Sequence, residues 1–161
     1  MSGRSLPLGA LSLAGMGLAG LGISAYLTTV HYAQVPLLCT TGGVVDCAAV
    51  TSSTYSVVPG TTIPVTAPGM LWFAVSAVLA VLAVVAARRE RDEPCWLRTV
   101  HVLWCVAGLA VVLYLVYAEI SLRRICEWCT AVHLLVLASL LVTIARWQTA
   151  HALPRRGSTP G

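Results

Sequence analysis

The sequence predicts an all-α integral membrane protein, a four-transmembrane-helix bundle with a long outward loop between helices 1 and 2. Three observations predict it. Only 10% of the 161 residues are charged, against about 25% in soluble domains, and the mean hydropathy is +0.84. Four apolar stretches are each long enough to cross a bilayer, which takes roughly 20 helical residues for a core of about 30 Å. The basic residues, all of them arginine, gather at the ends of these stretches. They form no basic face, so the net charge of +4 does not point to nucleic acid.

The first span covers about residues 8–32. Its apolar run exceeds the roughly 7–15 residues of a signal-peptide core, and Arg4 alone makes a thin basic leader, so it reads as a retained helix. Gly15/Ala19 and Gly20/Ser24 are small-xxx-small pairs, the pattern that lets helices approach closely in lipid. The second span covers about 69–87, the third about 99–118 and the fourth about 126–145. Residues 1–147 read as one membrane domain, and 148–161, rich in Arg, Pro, Gly and Ser, as a disordered cytoplasmic tail.

An even number of spans puts both termini on one side. Arg4, Arg88, Arg89, Arg91, Arg98, Arg146, Arg155 and Arg156 share that side, and only Arg123 and Arg124 lie opposite. The positive-inside bias makes the arginine-rich side cytoplasmic. Cys39, Cys47, Cys126 and Cys129 then face outward, where disulfides persist. Cys95 falls in the cytoplasmic loop and Cys105 inside span three.

The outward loop, about 33–67, has no basic residue and one acid, Asp46, yet is rich in Val, Leu and Ile. A loop of this length is usually functional, and its apolar character suggests that it lies over the bundle mouth. Asp46 is placed to cap a short helix through Val50 that ends in "TSST". In "RRICEWCTAVHLL", Cys126 stands at a helix start, where N–H groups and the dipole favour a thiolate. Arg123 and Arg124 add positive charge that acts in the same direction; as interfacial anchors they need no such role. Two outward pairs suit relayed thiol–disulfide exchange. The alternative is a non-enzymatic metal site of four thiolates, but seven residues separate Cys39 from Cys47, wider than the usual zinc-ligand spacing of about two to four. A structural membrane protein with incidental cysteines is the third reading. A pair bordering the bundle interior points to a lipid-soluble electron acceptor, and a quinone fits.

With "CTTGGVVDC" after the first span, "SSTY" shortly after it and "CEWC" opening the fourth, the chain resembles the vitamin K epoxide reductase family, from the first span to about Trp147. The resemblance implies a four-helix bundle around a quinone (menaquinone, ubiquinone or phylloquinone), with the loop as a lid. It implies Cys126 and Cys129 as the active-site pair, with Cys129 nearest the quinone. Cys39 would exchange with a thioredoxin-like partner, and Cys47 would pass electrons to Cys126. Ser53 matches a hydroxyl that helps organise the lid, which makes it a cofactor-side residue with His133. His133 stands where animal members often carry a quinone-contacting tyrosine, one turn after Cys129 and on its face. An intramembrane ionisable residue is a functional candidate by default. "IPVTAPGMLW" shows no clear equivalent of the asparagine that animal members use on the substrate. Oxidation of a partner protein is therefore expected ahead of quinone or quinone-epoxide reduction as an end in itself. With no fused thioredoxin-like domain in these residues, the partner is expected in trans.

Overall fold

The computed structural model describes residues 8–40, 42–89 and 94–152. Four long helices carry the fold: α1 (Leu8–Ala33), α3 (Thr66–Arg88), α4 (Cys95–Leu122) and α5 (Glu127–Ala152), with a short α2 (Cys47–Thr51) in the connection after α1. All four long helices are long and apolar enough to cross a membrane. The chain is a multi-pass membrane bundle, as its composition predicts.

The bundle interior mixes apolar side chains such as Leu13, Leu27, Phe73 and Val136 with polar ones, and its outside is apolar. Ser24, Ser76, His101, Glu119, His133, Ser139 and Thr143 are buried, whereas Leu71, Leu103, Ile120, Leu134 and Leu141 are exposed. Buried polar side chains beside an apolar outside suit lipid, where close packing and interhelical hydrogen bonds drive helix association. Helix α1 packs chiefly on α3 and α4 on α5, while α1–α5 and α3–α4 contacts close the ring.

Small residues set the α1–α3 distance. Leu13, Gly17, Gly20, Ser24 and Leu27 form the buried stripe of α1. A Cβ on Gly17 would meet Ala77 Cβ at 3.0 Å, and one on Gly20 would fall 2.2 Å from the Phe73 ring. Gly20/Ser24 thus lies on the packed face, but Gly15/Ala19 lies on the exposed one. Gly17, three residues before Gly20, takes the part expected of Gly15. Between α3 and α4 the indole N–H of Trp72 donates to Trp104 O at 3.1 Å, and that of Trp104 donates to Trp72 O at 3.2 Å.

Each helix after the first outruns its expected span. Helix α3 starts three residues before Gly69, because Pro68 in a first turn costs no hydrogen bond. Helix α4 continues from Ala118 to Leu122 and stops where Arg123 adopts the left-handed conformation, φ 53°. Arg123 N donates to Ile120 O and Arg124 N to Glu119 O, the bond pair of a Schellman stop. Helix α5 runs past Trp147 to Ala152, into the stretch expected to be a disordered tail; residues 153–161 lie outside the described residues. Arg4, Arg91, Arg155 and Arg156, used above for orientation, lie outside them too.

Candidate active site

The segment between α1 and α3 is built as a lid. The Asp46 carboxylate accepts from Ala49 N at 2.9 Å and starts α2, as expected of a cap. A 3-10 turn (Thr54–Ser56) follows, and Val58 N donates to Ile63 O at 2.8 Å across a turn at Gly60, φ 77°. Val50, Thr51, Tyr55, Ser56, Val58 and Pro64 from this segment roof a cavity of about 560 Å³ whose walls come from all four long helices. That is the size of a small-molecule site, typically about 300–1,000 Å³.

Cys39 and Cys47 form a disulfide, with Cα atoms 6.2 Å apart. Cys126 and Cys129 are free thiols. A parallel backbone bridge joins Val45 to Ile125: Ile125 N donates to Val44 O at 3.0 Å and Asp46 N to Ile125 O at 3.1 Å. This bridge runs the two strands of chain side by side, one leading into Cys47 and the other into Cys126. The two inner members of the series are the most enclosed. Cys39 is half-buried, Cys47 and Cys126 are fully buried, and Cys129 lines the cavity.

The two middle residues of "CEWC" clamp the Cys39 segment, a task not read from the sequence. Trp128 donates its indole N–H to Leu38 O at 2.6 Å and packs on Tyr26 with ring centroids 5.3 Å apart. The Glu127 carboxylate accepts from Thr40 N at 2.9 Å and Thr40 Oγ1 at 2.6 Å. Cys39 is therefore held from both neighbouring residues. Arg124 also holds the lid, donating to Gly43 O at 3.0 Å.

Cys126 immediately precedes α5 and its Sγ accepts from Cys129 N at 3.3 Å. A hydrogen bond from the Cys129 thiol, with the N–H groups of Cys129 and Trp128, holds the Cys126 thiol below its ordinary range, against burial and against any negative charge on nearby Glu119. The helix start thus acts as expected. Arg124 is spent on the lid. Glu119, which the expected end of span three at 118 left in a loop, is buried on α4 and accepts from Cys126 N at 3.1 Å. It escaped notice for want of a motif; an acid beside an apolar span was the available signal.

His133 is buried, lines the cavity, and its Nε2 has no hydrogen-bond partner. Ser53 does not line the cavity; its hydroxyl donates to Val50 O at 2.7 Å, a bond inside the lid, so a direct cofactor contact is not its place in this geometry. Ser56, three residues on, does line it. The four thiols do not gather as one metal-ligand set among the described residues. The ligand atoms that cluster, within 4.8 Å of one another, belong to Cys39, Cys47 and Glu127, and the two sulfurs are joined in the disulfide.

No curated protein matches the chain significantly. A model of the vitamin K epoxide reductase family matches residues 11–144, which include both cysteine pairs, the lid and every wall of the cavity. The chain belongs to the vitamin K epoxide reductase family, membrane-embedded oxidoreductases.

Proposed function

We propose that this protein is a quinone-linked thiol oxidoreductase that oxidises a thioredoxin-like partner in trans and so supports disulfide formation outside the cytoplasm. One observation carries the reading: the half-buried Cys39–Cys47 disulfide lies beside the buried Cys126, whose partner Cys129 opens on an apolar cavity. In the proposed order a partner thiolate attacks Cys39 and releases Cys47, and the partner's second thiolate then attacks the mixed disulfide, leaving the partner oxidised and Cys39 free. The Cys47 thiolate then attacks Cys126 of an oxidised Cys126–Cys129 pair and releases Cys129, and Cys39 attacks Cys47 and releases Cys126, which restores the first disulfide and leaves the second pair reduced. Each exchange conserves electrons and breaks one S–S bond for each one formed.

The cavity fits a lipid quinone on its own residues. Its walls are apolar, and the orphaned Nε2 of His133 is a buried polar atom awaiting a partner, which is costly to leave unsatisfied. His133 and the aromatic side chains Tyr55, Trp72 and Tyr114 would hold the ring. A bound quinone supplies the two-electron sink that returns Cys126 and Cys129 to the disulfide. The lid keeps water from the dithiol, and Ser53, bonded within it, supports its shape. The arginine bias supports cytoplasmic termini and outward-facing thiols.

The test is disulfide mapping of the Cys129→Ala variant. Without Cys129, Cys126 can resolve only onto Cys47, so mass spectrometry should find a Cys47–Cys126 link and a free Cys39. An intact Cys39–Cys47 bond, or a Cys39–Cys126 link, would overturn the order of the relay.

A further inference from the structure

Glu119 is the one buried acidic residue among those described, and the relay has no use for it. It is also the one acidic residue on the cavity wall. Its Oε1 is engaged as acceptor of the Cys126 amide at 3.1 Å, so a proton on this carboxyl belongs on Oε2. A buried carboxylate with one neutral donor is expensive as an anion. A neighbouring thiolate makes it more so.

We propose that Glu119 is the proton-handling group of the redox centre: in the reduced state it holds on Oε2 the proton given up by the Cys126 thiol, and it releases that proton to the cavity as the Cys126–Cys129 disulfide forms. The proposal rests on the quinone-linked reading above and adds the path of the protons. The balance is complete. From the Cys126 thiolate, the protonated Glu119 and the Cys129 thiol, one O–H and one S–H bond are lost and one S–S bond forms, and the two electrons go to a lipid quinone. One proton reaches a quinone oxygen from Glu119. The other comes from Cys129, which lines the same cavity. The other titratable groups on the wall are His31, Tyr55, Tyr114 and His133. Of these and Glu119, only Glu119 has a recorded hydrogen bond to the redox pair.

Glu119→Gln separates proton handling from positioning, because the amide oxygen still accepts from Cys126 N but carries no proton. The measurement is the infrared difference spectrum, dithiol minus disulfide, of quinone-free protein in which Cys39 and Cys47 are both replaced by alanine. A carboxylic-acid carbonyl band that shifts in heavy water is expected with Glu119 and absent in Glu119→Gln. With quinone added, Glu119→Gln should oxidise its dithiol about 100-fold more slowly, the scale of a lost general acid, while Cys126 still alkylates. Absence of the band when Glu119 is present, its persistence in Glu119→Gln, or an unchanged oxidation rate would each overturn the proposal. Should Glu119→Gln not fold, the band in protein retaining Glu119 decides alone. Failure of quinone to oxidise the dithiol in protein with Glu119 would instead count against the quinone-linked reading, since the band needs no quinone.

Discussion

The two cysteine pairs sit side by side yet are held in opposite ways. Cys126 and Cys129 take their geometry from the first turn of α5 and from one buried carboxylate. Cys47 opens α2 beside the Val45–Ile125 backbone bridge, but the Cys39 side of the disulfide is held over the bundle by side chains from elsewhere: Trp128 on Leu38 and Glu127 on Thr40, with Arg124 on Gly43 further along. A helix turn opens cooperatively, whereas side-chain clamps open one at a time. The narrow pair therefore keeps a fixed relation to the cavity, and Cys39 of the wide pair has a position that individual bonds can release. This difference suits a relay in which only the outer pair must meet a second protein.

The comparison breaks most sharply by deletion. Replacing Cys39 with Ala should abolish turnover driven by a thioredoxin-like partner, while a small dithiol that reaches the buried pair still drives quinone reduction. Loss of Cys126 or Cys129 should abolish both reactions. Assaying both donors on each single variant checks the division, and equal loss of dithiol activity in all of them would erase it.

Much of this division was legible in the sequence. The number and order of the spans, both cysteine pairs, the Asp46 cap and the loop's place over the bundle mouth follow from apolar runs, spacing and cap chemistry, and the loop's part as a lid from the family resemblance. His133 was placed on the face of Cys129 by helix geometry alone. What escaped depends on contacts between distant segments. Glu127 and Trp128 carry no signal of their own in "CEWC", and their part as clamps comes only from residues 38–40 lying over them. Glu119 fell one residue beyond the expected span, because an apolar run marks the hydrocarbon core and not the end of a helix. Gly15/Ala19 turned out exposed and Gly17 packed, because spacing finds small residues but cannot say which face of an all-apolar helix meets a neighbour.

The clamps offer a gentler probe of the same contrast. Trp128→Ala removes a hydrogen bond worth about 1 kcal/mol and a ring pair worth about 0.5–1.5 kcal/mol. The two losses sum to about 2 kcal/mol and act on the outer pair alone. The Cys39–Cys47 disulfide should then be reduced up to roughly 30-fold faster by a hydrophilic reductant, with alkylation of Cys126 unchanged. Equal acceleration at both pairs would mean that the tryptophan supports the bundle and not the lid.

The smallest effect is expected at Arg123 and Arg124, and there the two pairs should part in opposite senses. From charge alone, both arginines should lower the thiol pKa of Cys126, since attraction across a few ångströms near a surface is on the order of 1–4 kcal/mol before screening. In the structure Arg124 donates to Gly43 O at 3.0 Å, and the Cys126 thiol is lowered first by Cys129 and then by backbone N–H groups. A lowered thiol pKa means that alkylation of reduced Cys126 persists to lower pH than for an ordinary cysteine, and fades only as pH falls through the lowered value. Replacing both arginines with Gln should leave that midpoint within about half a unit, or roughly 0.7 kcal/mol. The outer disulfide should meanwhile become about 5-fold easier to reduce, as one exposed charged bond worth about 1 kcal/mol is lost. Alkylation of Cys126 against pH and reduction kinetics of Cys39–Cys47, on the same double variant, read both numbers. A midpoint raised by a full unit with unchanged reduction kinetics would return the arginines to the inner thiol and leave the lid held by Glu127 and Trp128 alone.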